Sequence, residues 1–324
     1  MPQIESVPHR GAQPEIPRET YPDNRFFHLF MAGMCALLIA MAVVCVTRLN
    51  YRLRAPTYND SMSFVVLLLA AGYCRWAKFE RFFQACLIIF WSLLMGKLLG
   101  FPVYLAARST MPLRDDGLAG FDQMLGLQIP TILHFMANHP WAARFFSLSY
   151  DTLFSMMVLS AMIPTLAYRW KAAKELIVAT SFATLCGSLM FAFCPAVGPW
   201  AVYGFAPSAQ QRTCETLFLT LRSGSLHVLS PDDKGIICFP SFHVMLAIVS
   251  CIALCSIRVL RIPAIVLAVC VIISTLTTGW HYIADAIGGL TLAVIAELLA
   301  KAFTLMEARA GKKTPSQLSV QSTS

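Results

Sequence analysis

Phe239-Pro240-Ser241-Phe242-His243 opens an apolar run that turns at Arg258-Val259-Leu260-Arg261. A second run then leads to Thr278-Gly279-Trp280-His281-Tyr282-Ile283-Ala284-Asp285. His243 and His281 lie 38 positions apart, which matches two membrane crossings of about 19 residues each. If both runs span a bilayer, the two histidines return to one face at similar depth. Asp285 follows His281 by four residues, on the same side of a helix that begins there. The stretch thus predicts a transmembrane helical hairpin, and the rest of the chain has to be that of a membrane protein.

Composition agrees. Of the 324 residues, 57% are hydrophobic and 13% charged, against about a quarter charged in an ordinary soluble domain. The net charge of +8 comes from short basic clusters beside apolar runs, without the aromatic-basic interleaving of a nucleic-acid platform. Nucleic acid is therefore excluded as a partner, and the bilayer is expected. The class is all-α: a polytopic bundle of about eight transmembrane helices.

The apolar runs fall at about 26–47, 62–77, 82–107, 146–167, 176–194, 239–257, 262–278 and 282–303. Residues 1–25 read as a disordered tail, 26–107 as N-terminal transmembrane helices, and 146–305 as the transmembrane core. Residues 306–324 form a second tail. Between them, 108–145 is too interrupted to cross and is expected to carry a helix lying in the interface.

Eight spans place both termini on one side. One set of loops holds Arg48, Arg52, Arg54, Arg108, Arg114, Arg144, Arg212, Arg222 and Lys234. Lys97 lies within a span, and the other fifteen Lys and Arg fall in the remaining segments. The excess marks those segments as cytoplasmic, with His243 and His281 on the extracytoplasmic face. Most of the 11 cysteines sit inside apolar runs and read as packing. Cys214 and Cys238 share the long polar outer loop, where a disulfide between them is open. Trp141, Trp200 and Trp280 read as an aromatic belt.

Two histidines and a carboxylate at one membrane boundary suit phosphoryl transfer that needs no metal or cofactor. One His attacks phosphorus and carries it covalently. A carboxylate on its other nitrogen fixes the tautomer, and a second His shuttles the leaving and incoming protons. His281 with Asp285 fits the first pair and His243 the second role. A helix starting near His281 would turn free N–H groups toward a phosphate, and Ser241 could donate to a phosphate oxygen. His28, His134, His139 and His227 read as interfacial side chains.

Pro240-Ser241-Phe242-His243, followed by Ser274-Thr275, five residues, His281, three residues and Asp285, resembles the second and third motifs of the type-2 phosphatidic acid phosphatase superfamily. The resemblance covers roughly Phe146 to Phe303. It implies a six-helix membrane core with His281 as nucleophile, Asp285 as its partner and His243 as acid/base, acting on a phospholipid or lipid phosphate. Three departures stand out. Phe242 replaces the motif glycine, and Thr275 replaces the phosphate-gripping arginine. Cys194-Pro195-Ala196-Val197-Gly198-Pro199-Trp200 takes the place of the first, Lys- and Arg-bearing motif. These features look like the inositol phosphorylceramide synthase branch, whose members move a phospho-headgroup between lipids. Ser241 and Thr275 are then the expected substrate-binding positions, with Arg212, Arg222 and Lys234 as candidate cations. A lipid phosphate phosphatase, or a non-catalytic lipid-binding or transport protein of the same fold, remain the alternatives.

Overall fold

The computed structural model describes residues 24–49, 51–53, 58–225, 228–229 and 236–313. Lys234 and His227 lie outside the described residues. Thirteen α-helices follow one another among those described. Six stretches are long and apolar enough to cross a membrane: Arg25–Arg48, Glu80–Ala107, Pro140–Leu166, Trp170–Phe193, Arg258–Thr277 and Ile283–Ala310. Two shorter apolar helices, Ser61–Trp76 and Phe242–Leu254, complete the eight expected runs. The molecule is an all-α polytopic membrane bundle. Among the described residues its one strand pairing is the two-residue parallel contact of Arg52–Leu53 with Val228–Leu229.

In chain order the helices are α1 (Arg25–Arg48), α2 (Tyr58–Trp76), α3 (Glu80–Leu98), α4 (Gly100–Ala107), α5 (Asp115–Met124), α6 (Ile129–Asn138) and α7 (Pro140–Leu166). Then come α8 (Trp170–Phe193), α9 (Trp200–Tyr203), α10 (Ala209–Ser223), α11 (Phe242–Leu254), α12 (Arg261–Thr277) and α13 (Ile283–Lys313). The α2–α3 hairpin turns at Lys78, whose φ of 59° is left-handed. Phe79 N–H there reaches back to the Cys74 carbonyl, the closure that ends many helices.

The short helix α11 is the centre of the bundle. It packs against α7, α8, α12 and α13 and buries Met245, Val249 and Ala253 in the largest apolar cluster with Ala183 and Ala293. Its 13 residues rise about 20 Å, short of the roughly 30 Å hydrocarbon core. Non-helical chain must make up the difference. Backbone without helical bonds is tolerated at membrane depth only where protein covers it, and Ile236, Ile237, Cys238, Pro240 and Ser241 are indeed buried. A recessed polar site follows at the N-terminal end of α11.

At the opposite end, Lys174 on α8 is buried and donates to Glu307 Oε2 on α13 at 2.6 Å and to Asn24 Oδ1 at 3.0 Å. Asn24, just before α1, and the end of α13 therefore lie together, as an even number of crossings requires. Glu297, in contrast, is buried on α13 with no hydrogen-bond partner for its Oε2 among the described residues.

Helix α13 meets the start of α11 through Gly288 and Gly289. A Cβ on Gly289 would lie 2.4 Å from the Ser241 carbonyl oxygen, a backbone atom that cannot swing aside. Gly289→Ala should cost about 1–3 kcal/mol through overpacking, read as a lower thermal midpoint in detergent, with α11 displaced from α13 and turnover reduced. An unchanged midpoint would show that the two helices do not sit this close.

Candidate active site

The turn after α12 sets up the site. Gly279, at φ +71°, takes the left-handed conformation that closes a helix. Its closure sends Trp280 N–H back to the Thr275 carbonyl at 3.2 Å, and His281 N–H shares that acceptor at 3.2 Å. His281 then faces the buried segment before α11. Its Nδ1 lies 3.0 Å from the Cys238 carbonyl and 3.3 Å from Asp285 Oδ2. Two acceptors converge on one nitrogen, so Nδ1 carries the proton and Nε2 holds the lone pair. Nε2 is buried and has no hydrogen-bond partner among the described residues. Asp285 is fixed in turn: its Oδ2 accepts from the Tyr282 N–H at 2.8 Å and from the Cys238 thiol at 3.0 Å.

His243, in the first turn of α11, brings its ring centroid to 5.7 Å from that of His281. Ser241 caps α11 by accepting from Val244 N–H at 3.3 Å, and its own N–H donates to the Asp285 carbonyl at 3.0 Å. Ser241 therefore holds His243 to the His281 hairpin. Tyr150 of α7 stacks on His243 with centroids 4.3 Å apart, and its hydroxyl lies 3.4 Å from His243 Nδ1. The two histidines open onto one cleft, walled also by Tyr150, Trp200, Trp280 and Phe218.

Burial pulls the His281 imidazole down from 6.5 to about 4, opposed by its bond to the Cys238 carbonyl. Burial also pushes the Cys238 thiol well up, with Asp285 adding to the effect, so the thiol keeps its proton and donates. The His281–Asp285 contact is thus a hydrogen bond to a neutral ring in the resting site. A histidine with a folded value below its unfolded one contributes its full stability above about 6.5 and loses it as pH falls toward 4.

Several sequence expectations change here. The N–H groups at the start of α13 do not face a ligand: Ile283 and Ala284 donate to the two oxygens of Asp122, each at 2.9 Å. Thr275 is buried, its hydroxyl bonded to the Ile272 carbonyl at 2.7 Å, so only its backbone serves the site. Arg222 donates to the carbonyls of Ser109 and Met111, which clamps the chain after α4 to α10. Arg212 is exposed in the first turn of α10. Neither arginine lines the cleft. Cys214 and Cys238 are both reduced thiols, so no disulfide joins them; Cys238 is buried and its thiol donates to Asp285. Trp200 and Trp280 also leave the aromatic belt, since Trp280 lies parallel to Tyr150 at 5.8 Å and Trp200 packs edge-on against it at 6.0 Å. Trp141, 75% exposed, is the one that faces outward.

Sequence reasoning missed Asp115 and Asp122. Asp115 accepts from Val197 and Gly198 N–H at 3.0 and 2.9 Å and lies 3.1 Å from the Tyr282 hydroxyl. Burial raises both carboxyls, and the backbone N–H groups oppose that rise. A signal existed: the buried stripe of α5 is Asp115, Leu118, Ala119 and Asp122, an amphipathic spacing in which half of the inward residues are acids. Gln211 was missed too. It donates to the carbonyls of Thr278 and Gly279 and ties α10 to the turn before His281.

Fold and site together define an integral membrane protein with a recessed histidine–carboxylate centre. The family model described as PAP2 superfamily matches residues 116–299, more than half of the chain, and the chain belongs to that superfamily. This makes it a membrane protein of the lipid phosphatase or phosphotransferase type. No curated protein and no solved structure gives a significant match to it.

Two outcomes follow. If His281 acts as a neutral imidazole, the acid limb of kcat/KM reports a group titrating near 4; a limb at 6.5 would mean that His281 is solvated. Asp122→Ala removes two acceptors from the start of α13 and should lower stability by about 1–2 kcal/mol, the scale of a lost helix cap. Thermal melting with Asp122→Asn as the milder control measures it.

Proposed function

We propose that this protein moves a phospho-headgroup between membrane lipids through a phosphohistidine intermediate. The observation that carries the reading is the buried, unpartnered Nε2 of His281 beside His243, with Nδ1 held by the Cys238 carbonyl and Asp285. A nucleophile needs its lone pair free and its opposite nitrogen anchored. In this mechanism His281 Nε2 attacks phosphorus, and the bond from phosphorus to the leaving oxygen breaks as His243 supplies that oxygen with a proton. The imidazolium character that develops on His281 is stabilised by Asp285. His243 then accepts the proton of the incoming hydroxyl, and that oxygen displaces Nε2 from phosphorus. No metal or cofactor takes part. The cleft lies on the extracytoplasmic face, with both termini in the cytoplasm.

The choice of transfer over hydrolysis rests on charge. Among the described residues no Lys or Arg lines the cleft, while Asp115, Asp122 and Asp285 are all buried around it. A phosphate monoester carries about −1.5 to −2 charges near pH 7, and an uncompensated charge of that size is costly to bury. A diester-linked headgroup brings a single negative charge. The inositol phosphorylceramide synthase-like branch is the resemblance closest to this reading. Lys234 is the remaining candidate cation.

The test uses purified protein in vesicles with phosphorus-labelled phospholipid and an unlabelled lipid alcohol acceptor. Wild type should form a new labelled lipid, and His281→Ala should lose at least about 10³-fold in rate, as removal of a covalent nucleophile does. His243→Ala should lose about 10²–10⁴-fold, the contribution of general acid–base catalysis. Free phosphate as the sole labelled product would move the assignment to a phosphatase. Full turnover in a folded His281→Ala protein would sink the mechanism.

A further inference from the structure

We propose that Cys238, His281 and Asp285 form a zinc site that switches the protein off by holding His281 in its unreactive tautomer. Zinc binding rests on the geometry of these side chains alone; the switching rests on the phosphohistidine reading above.

Three side chains from two chain segments converge here. Cys238 Sγ lies 3.0 Å from Asp285 Oδ2, and Asp285 Oδ2 lies 3.3 Å from His281 Nδ1. All three donor atoms fall within 4.8 Å of one another. Zinc bonds of about 2.0–2.3 Å to O, N and S separate tetrahedral ligands by roughly 3.3–3.7 Å, and the two separations from Asp285 Oδ2, 3.0 and 3.3 Å, lie within an ångström of that range. A sulfur, an imidazole nitrogen and a carboxylate oxygen make a set suited to zinc and other borderline transition metals. Calcium and magnesium, which take oxygen ligands, suit it poorly. The surroundings are already ordered. Tyr282 N–H holds Asp285 Oδ2 at 2.8 Å, an outer partner of the kind that orients metal ligands. Cys238 and His281 also border the cleft.

The balance of atoms gives the consequence. Zinc takes the lone pair of His281 Nδ1, so the single ring proton moves from Nδ1 to Nε2. Cys238 loses its thiol proton to solvent, and an ionised Asp285 supplies the third ligand. No electron changes hands, and one proton is released. His281 Nε2, now an N–H, has no lone pair with which to attack phosphorus. The ion thus occupies the groups that anchor Nδ1 and disables the nitrogen opposite.

The experiment uses tag-free full-length protein with zinc chloride as the probe. Bound zinc is measured by elemental analysis after desalting, and cobalt(II) substitution reports a thiolate-to-metal absorption band. Wild type should retain one zinc per chain and show the band. Cys238→Ser keeps a hydroxyl that can donate to Asp285 but removes the thiolate. It should lose the band and bind zinc more than about 100-fold more weakly, since the loss of an outer partner alone costs about 10–100-fold. Zinc should inhibit wild-type turnover, and a chelator should restore it. The residual turnover of Cys238→Ser should resist zinc by the same factor. Equal zinc retention in wild type and Cys238→Ser would overturn the site. One zinc per chain with turnover unchanged or increased would overturn the switch. A protein that turns over no lipid even with chelator would overturn the phosphohistidine reading, while the zinc measurement would still decide the site.

Discussion

The contact from His281 Nδ1 to the Cys238 carbonyl is the constraint on which the rest depends. Residues 236–241 are non-helical, which leaves the Cys238 carbonyl turned toward His281 instead of into a helical ladder. Inside a bilayer that is permitted only under protein cover. The cover comes from a short α11, from the α5 helix lying across the turn, and from the Pro195–Gly198 segment. The site is therefore a bundle built around a gap in its own central helix. The histidine tautomer is a product of that gap.

The second organising fact is that the backbone donors at the start of α13 and in the Val197–Gly198 turn are held by internal carboxylates. Asp122 takes the two amides that begin α13, Asp285 takes the next one back, and Asp115 takes those of Val197 and Gly198. A helix N-terminus usually offers its amides to an anion; here internal carboxylates hold that position. The arrangement gives rigidity at the start of α13 and leaves the N-terminal end of α11, which carries His243, as the helix end at the cleft.

The pair His243 and His281 with Asp285 was legible because it obeys two simple periods, the length of a membrane crossing and the turn of a helix. The bundle class was legible from composition alone. The anchors were not. Asp115 and Asp122 lie more than 150 residues from the α13 amides and the Tyr282 hydroxyl that they hold, and a carboxylate that bonds backbone leaves no partner side chain to read. Cys238 read as open to a disulfide because its polar loop was visible, whereas the carboxylate 47 positions away that accepts its thiol hydrogen bond was not. Arg212 and Arg222 looked like phosphate ligands by loop position, yet one is exposed and the other holds carbonyls of the chain after α4.

The departures from the superfamily pattern make sense together. Phe242, where the pattern has glycine, turns its ring onto α8, where a Cβ on Gly187 would lie 2.4 Å from it. The bulk fills the bundle and leaves the histidine cleft open. Thr275, where the pattern has arginine, keeps its hydroxyl within α12 and offers its carbonyl to the turn that delivers His281. An arginine there would bring a charge into a wall now made of Tyr150, Trp200 and Trp280. The threonine replaces the cation of the pattern, the phenylalanine packs away from the cleft, and neither disturbs the hydrogen bonds that set the His281 tautomer. On the proposed mechanism, the chain keeps the groups that break and make a bond to phosphorus and differs at the positions that would select which phosphate enters.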